Sequence, residues 1–297
     1  MSNFKQLALI GPTASGKSSL AVKIAQRSNA HILSLDSLSI YRDIDIVSAK
    51  PTPKERGGVH HFGIDCLYPD EGFDVTTFIS LYQDSVRRCQ NEKKNLVIVG
   101  GTSFYLKILL EGISELPELS EAMRLESARQ MQRPQAVYER LMQIDPNHMQ
   151  SIKPEDTYRI EKALGVYLAT KRAPSAYFRE YPPRAVITAP LPIYEIVWDR
   201  TALRKRIALR TEEMIGAGLI DEIISLEKKY TRAPNCMRAI GIKETLMYLD
   251  GIYDKKMLTE KITINTGRLA KRQTTFNHSQ FDNITKGSIG ELEKLLL

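Results

Sequence analysis

Leu7-Ala8-Leu9-Ile10-Gly11-Pro12-Thr13-Ala14-Ser15-Gly16-Lys17-Ser18 is the stretch that decides the fold. Its first four residues form an unbroken apolar run, the pattern of a strand buried on both faces. The next eight match G-x-x-x-x-G-K-[ST], and Ser18 to Arg27 follows with Leu20 and Ile24 at helical spacing. A strand, a glycine loop and a helix in that order form the context in which this motif holds phosphate. Glycines let the backbone wrap closely, so successive amides point at phosphate oxygens, and the helix N-terminus adds a favourable dipole. Gly11, Pro12, Thr13, Ala14, Ser15, Gly16, Lys17 and Ser18 are therefore the candidate phosphate-binding residues. Lys17 supplies a point charge, and the Ser18 hydroxyl is a candidate Mg2+ ligand. The motif implies a di- or triphosphate ligand. It does not imply that a nucleotide is hydrolysed.

Beyond the loop, Ile32 to Leu35 and Leu96 to Val99 read as further buried strands, with Val75 to Arg88 as a helix between them. This alternation predicts an α/β fold, a P-loop NTPase-like parallel sheet flanked by helices. Residues 116–185 carry no strand pattern. Ser120 is placed to cap a helix running to Gln132. Pro134 suits the first turn of a helix to Ile144, because proline needs no amide partner there. Pro154 opens a third helix to about Ala169, and 173–184, with Pro174, Pro182 and Pro183, reads as a loop. The expected organisation is a core domain of 1–115 and 186–297, interrupted by an all-helical insertion domain, 116–185. Strand character returns at Ile193 to Trp198, and helical stretches follow at 200–215, 219–230, 240–249 and 255–278.

Composition narrows the setting. The 297 residues are 42% hydrophobic and 26% charged, ordinary for a globular protein that buries a core without staples. Cys66, Cys89 and Cys236 are odd in number and widely spaced, so neither a disulfide framework nor a zinc site is expected, and a reducing cytoplasm is. No run approaches the ~18 apolar residues of a membrane span. The net charge of +7 is unevenly spread: residues 1–115 hold 13 basic and 12 acidic residues, so the excess lies in the remainder. Such an excess suits a polyanionic partner or plain solubility.

A magnesium-binding aspartate would normally end a second hydrophobic strand. Leu96 to Val99 runs instead into Gly100-Gly101-Thr102, whereas Ile32 to Leu35 ends in Asp36, 19 residues beyond Lys17. In open α/β sheets the ligand crevice lies at the carboxyl ends of the strands. Asp36 and Thr102 are thus the candidate reactive residues, against the plainer readings of a cap and a turn. On these residues alone, a small-molecule kinase with Asp36 as its base and a P-loop RNA-binding protein with a regulatory nucleotide both remain open.

A longer ordered set of residues resembles one family, the tRNA dimethylallyltransferases. It comprises the phosphate loop, Asp36-Ser37 with Tyr41, Ala49-Lys50-Pro51, His60-His61 with Ile64-Asp65, and Val99-Gly100-Gly101-Thr102 with Tyr105. It continues through Glu111-Gly112, Arg206-Ile207 with Arg210, Met214 and Gly218, Arg238 with Gly241, Tyr248-Leu249, and Lys271-Arg272-Gln273. The resemblance implies transfer of a dimethylallyl group from its diphosphate to N6 of adenosine 37 in tRNA. The loop and Arg238 would hold the diphosphate with Mg2+ at Ser18. Asp36 would act as general base, with Thr102 beside the amine. It further implies that the insertion grips the anticodon stem-loop and that the enzyme is a monomer. Asp36, Ser37, Leu38, Ser39, Thr102, Arg124, Arg159, Lys162, Lys243, Lys271, Arg272 and Gln273 would be its tRNA contacts. The chain departs from the family pattern at Val47, where glycine is usual, and at Tyr158, where glutamine is. Lys162 and Lys243 replace arginines, and Thr274-Thr275-Phe276 replaces a threonine-tryptophan pair. The adjacent pair His60-His61 lacks other spaced ligands and is expected to be structural.

Overall fold

A computed structural model describes residues 4–297. The chain divides into two compact units, one running to Leu109 and resuming at Ile187–Leu297, the other formed by Leu110–Val186.

The first unit is built on a six-stranded sheet. Its strands are β1 (Gln6–Ile10), β2 (Ala30–Leu35), β3 (His61–Phe62), β4 (Asn95–Gly100), β5 (Ile193–Ile196) and β6 (Thr285–Gly287). Their order is β3-β2-β4-β1-β5-β6, and every pairing is parallel. The phosphate loop leaves the middle of this sheet and enters α1 (Lys17–Arg27). Leu20, Ile24 and Ala25 of α1 pack with Leu9, Ile32 and Val97 of three strands in one buried cluster. The apolar run at 7–10 is therefore central because both of its faces are covered.

The other helices of this unit are α2 (Val75–Asn91), α3 (Ser103–Glu111), α9 (Arg200–Gly216), α10 (Leu219–Tyr230), α11 (Ile242–Leu249), α12 (Lys255–Gln280) and α13 (Ile289–Leu296). α10 to α12 form a second core with the chain after β2, joining Leu219, Ile223, Ile242 and Ile262 to Ile40, Tyr41, Ile44 and Val47. The 26-residue α12 adds amide contacts to its apolar ones, Leu258 and Ile262 being buried in that core. Asn265 donates to Glu244 at 2.7 Å and Asn277 to the buried Glu195 at 2.8 Å, while the Gln273 carbonyl oxygen accepts from the Thr13 amide at 2.8 Å. These hydrogen bonds tie α12 to three separate elements, while Asn277 Oδ1 stays buried with no hydrogen-bond partner among the described residues.

The second unit is helical: α4 (Glu121–Gln130), α5 (Pro134–Ile144), α6 (Pro146–Met149), α7 (Thr157–Thr170) and α8 (Pro174–Glu180). Its core joins Val137 and Leu141 of α5 to Ile160, Leu164 and Leu168 of α7. Its two ends meet in an antiparallel bridge, Ile113 with Arg184. Gly112 makes that possible: its φ is +82°, and a Cβ there would stand 2.0 Å from the Arg184 carbonyl oxygen.

The structure differs from the sequence reading at several elements. The 173–184 loop contains α8, because Pro174 occupies a first-turn position where its missing N–H costs nothing. The third insertion helix starts at Thr157 rather than Pro154, since the Asp156 side chain caps it by accepting from the Arg159 amide. α6 follows the Asp145-Pro146 break for the same reason: Asp145 caps it through the His148 amide. Strands β3 and β6 and helices α3 and α13 had no expectation attached to them.

Candidate active site

The phosphate loop is braced from outside its own sequence. Trp198 Nε1 donates to the Ser15 carbonyl at 3.0 Å, Arg206 Nε to the Ala14 carbonyl at 2.9 Å, and Arg210 Nη1 to Thr13 Oγ1 at 3.3 Å. Arg206 also lies over the Trp198 ring, 4.7 Å from its centroid. Gln273 holds the Thr13 amide from the far side, and its Nε2 lies where a Cβ on Gly101 would be only 2.4 Å away. Gly101 thus leaves the room through which α12 reaches the loop. With its outward carbonyls and one amide so engaged, the loop backbone is fixed before any ligand arrives, which is what electrostatic preorganisation requires.

Lys17 Nζ donates to the Pro12 carbonyl at 3.0 Å. Burial and then the neighbouring Arg210 charge bring its pKa down to about 8, with Asp36 opposing them. Lys17 and Ser18 line two cavities, and Arg210 lines both of these and the chamber that holds Asp36. Arg210 is therefore the cation common to all three, whereas Arg238 lines only the Asp36 chamber. Arg206 and Arg210 share a helix face at i, i+4, a spacing legible in the sequence, although nothing local tells which neighbour that face meets.

Asp36 follows β2 and folds back on its own turn. Its Oδ1 accepts from the Leu38 amide at 2.8 Å and the Ser39 amide at 3.0 Å. One oxygen thus fixes the carboxylate, and the other has no hydrogen bond to a described residue. Asp36, Ser37 and Leu38 line a chamber of about 460 Å³ with Tyr41, Phe73 and Tyr105. These rings form a continuous wall, with centroids 6.5 Å apart for Tyr41 and Phe73 and 5.4 Å for Phe73 and Tyr105. Burial pushes the Tyr105 phenol up to about 12, so it stays neutral. Thr102 stands at the same sheet edge, its amide donating to the Leu35 carbonyl at 3.1 Å, but it is not among the residues that line the chamber.

The chamber wall from Tyr41 to Lys50 is held by two charged anchors. The buried Lys50 ammonium donates to Asp45 and Asp65, each at 2.6 Å, and to the Tyr41 carbonyl at 2.9 Å. Glu222 of α10 accepts from the amides of Asp45, Ile46 and Val47 at 2.7–3.0 Å. Val47 lines the chamber, so the departure from glycine adds apolar bulk to its wall.

Of the expected tRNA contacts, Lys243, Lys271 and Arg272 are exposed in the first unit, and Arg124, Arg159 and Lys162 in the second. Arg159 pairs with Asp156 at 3.4 Å, and Lys162 lies 5.1 Å from the centroid of the exposed Tyr158 ring. Two of the expected contacts turn inward instead. Ser39 is 4% exposed, with its hydroxyl 3.1 Å from that of Ser34, and Gln273 is occupied by the phosphate loop. Their observed partners are the Asp36 turn and Thr13, a role the sequence reading missed. His61 Nδ1 lies 2.9 Å from the Val59 carbonyl, and the His60 ring packs edge-on to Phe62 at 4.5 Å. Among the described residues, no group of three or more His, Cys, Asp or Glu could hold a metal ion by itself. That fits Mg2+ held mainly by phosphate oxygens and water, to which Ser18 adds one exposed hydroxyl beside Lys17. Among the described residues, no helix is long and apolar enough to cross a membrane.

The chain matches the IPP transferase family model over residues 39–280. It is 63% identical to a tRNA dimethylallyltransferase of Sulfurovum over 99% of this chain and 97% of that protein. Its fold is similar to the full-length tRNA isopentenylpyrophosphate transferase of Bacillus halodurans, with a TM-score of 0.70, 29% identity, and coverage of 98% of this chain and 95% of that one. A eukaryotic dimethylallyltransferase acting on tRNA shares the fold with a TM-score of 0.83 at 22% identity, over 98% of this chain and 75% of that one.

Proposed function

The chain belongs to the tRNA dimethylallyltransferase family, and from that premise we propose that it transfers the dimethylallyl group of dimethylallyl diphosphate to N6 of adenosine 37 in tRNA. The observation that carries this reading is the junction of two unlike surfaces at Arg210. On one side lies a braced phosphate loop with Lys17, and on the other an aromatic chamber with Asp36.

In the transfer, N6 of adenine bonds to C1 of the allyl group as the bond from C1 to the diphosphate oxygen breaks. An exocyclic adenine amine is a weak nucleophile, so a carboxylate that accepts its proton helps. Asp36 is held through Oδ1 by two amides, which leaves Oδ2 to take that proton. Thr102 sits at the same strand edge and orients the amine. As the bond breaks, positive charge spreads over the allyl group, and the faces of Tyr41, Phe73 and Tyr105 attract it. Negative charge gathers on the diphosphate, where Lys17, Arg210 and the loop amides stabilise it. Arg238, at the chamber wall, is a further cation for the same group. Mg2+ held by Ser18 would neutralise part of the diphosphate charge when bound.

Adenosine must leave its stack to reach such a chamber, at a cost of a few kcal/mol. The exposed cations Arg124, Arg159, Lys162, Lys243, Lys271 and Arg272 supply affinity from phosphate contacts, with the helical unit as the grip on the anticodon stem-loop. We read the enzyme as a cytoplasmic monomer. The deciding experiment incubates the purified chain with radiolabelled dimethylallyl diphosphate, Mg2+ and tRNA bearing adenosines at 36–38. Label is expected on adenosine 37. Phosphorylation from ATP with no prenyl transfer would replace this reading with that of a kinase.

A further inference from the structure

The helical unit contains a cleft that the transfer chemistry does not use. α4 and α5 are joined by a short turn, and a cavity of about 570 Å³ opens between them. Three arginines line it, Arg129, Arg133 and Arg140, with two glutamines, Ala136 and Val137, and no carboxylate. The acid that touches this set is Glu126. It accepts from Arg129 Nε at 2.9 Å and Nη2 at 2.8 Å, and from Gln130. Those hydrogen bonds hold its carboxyl down at about 2, so one guanidinium is balanced. The Arg140 charge also acts on Glu126, whereas Arg133 has no carboxylate partner among the described residues. Arg140 Nη2 donates to Gln130 Oε1 at 2.6 Å, but Arg140 Nε is buried with no hydrogen-bond partner among the described residues. Arg133 stands exposed at the start of α5 and makes no capping hydrogen bond there.

A buried donor without an acceptor is a standing cost, and neighbouring guanidiniums repel one another more strongly as water is removed. An oxyanion seated among these guanidiniums relieves that repulsion. The guanidinium fork matches two oxygens of a phosphate group, and the glutamine amides add neutral donors around it. The lining therefore suits a phosphate-type anion better than a carboxylate-bearing or apolar ligand.

We propose that this cleft binds a phosphodiester group of RNA, with the exposed Arg133 as its chief donor, Arg140 beside it in the lining and Arg129 held in place by Glu126. The partner follows from charge complementarity, and the inference rests on the tRNA reading above. The site is separate from the cleft lined by Arg124 and Lys162 beside α7. It adds a contact that positions the RNA backbone without reading sequence.

The test measures tRNA affinity of the full chain as a function of salt concentration. Arg133→Gln should weaken binding about three- to ten-fold near physiological salt, and make the plot of log affinity against log salt shallower by about one. Arg140→Lys keeps the charge but loses the guanidinium fork, so it should also weaken binding while thermal melting stays unchanged. Full affinity and an unaltered salt slope in Arg133→Gln would overturn the proposal. Full affinity in Arg140→Lys would overturn the role given to the Arg140 guanidinium. Titration with inorganic phosphate separates the sources: heat that disappears in Arg133→Gln while tRNA affinity is intact means a small-anion site, which also overturns it. Wild-type prenyl transfer, measured on the same preparation, tests the parent reading separately. A wild type that binds tRNA with the expected slope but transfers nothing defeats the function and leaves the cleft standing.

Discussion

The two units use their cations in opposite ways. In the sheet unit Lys17, Arg206 and Arg210 are engaged by the phosphate loop itself, on Pro12, Ala14 and Thr13. In the helical unit Arg124, Arg133 and Lys162 stand at the surface, while Arg159 is tied only to Asp156 across one helical turn. The first arrangement fixes geometry in advance, where a small error costs rate. The second leaves charge free to meet a long polyanion, where each contact adds a little affinity. Changes among the cations engaged by the phosphate loop should therefore alter kcat or diphosphate binding sharply, and changes among the exposed cations of the helical unit should alter tRNA affinity mildly.

The strongest challenge to that contrast is Asp36→Asn. The amide keeps an oxygen for the Leu38 and Ser39 N–H groups, so the turn survives while the proton acceptor is lost. A fall in kcat of about 10²- to 10⁴-fold is expected, with tRNA affinity retained; near-normal turnover would remove Asp36 from the chemistry. A smaller effect concerns Lys17. Its pKa near 8 in the free protein means that it loses its proton as pH rises through that value. Binding of diphosphate favours the charged form, so binding above pH 8 must take up a proton. Affinity for an unreactive diphosphate analogue should then fall by up to about ten-fold per pH unit. Calorimetry across that range checks it, and Lys17→Met should flatten the profile. The smallest effect is expected at Arg159. Its removal should weaken tRNA binding about two- to five-fold and leave kcat at saturating tRNA within two-fold. A large loss of kcat there would mean that the helical unit shapes the reaction as well as the grip.

Local features of the sequence were the legible ones. The run Leu7 to Ser18 specified strand, loop and helix because its apolar pattern and its glycines act within a few residues. Asp36 was legible because a strand end and a ligand crevice coincide in parallel sheets. The prolines of 173–184 misled because proline forbids a helix interior but not a helix start, and Pro174 sits at the start. Strands β3 and β6, two and three residues long, are too short to show any alternation. Gln273 is expected at the RNA only through the family resemblance, and local sequence does not show what its side chain meets. On a helix, however, neighbours in sequence lie about 100° apart, and it faces the loop. The braces of the phosphate loop were illegible for a different reason: Trp198, Arg206, Arg210 and Gln273 lie 183–260 residues away from what they hold.

That separation has a consequence for synthesis. At about 5–20 residues per second, a ribosome reaches Gln273 about 13 to 50 seconds after Thr13. Within that interval Trp198, Arg206 and Arg210 are made first, and the Gln273 brace comes last. The loop is therefore fully braced only once α12 has been made. A chain truncated before α12 would keep the motif and lack the Gln273 brace.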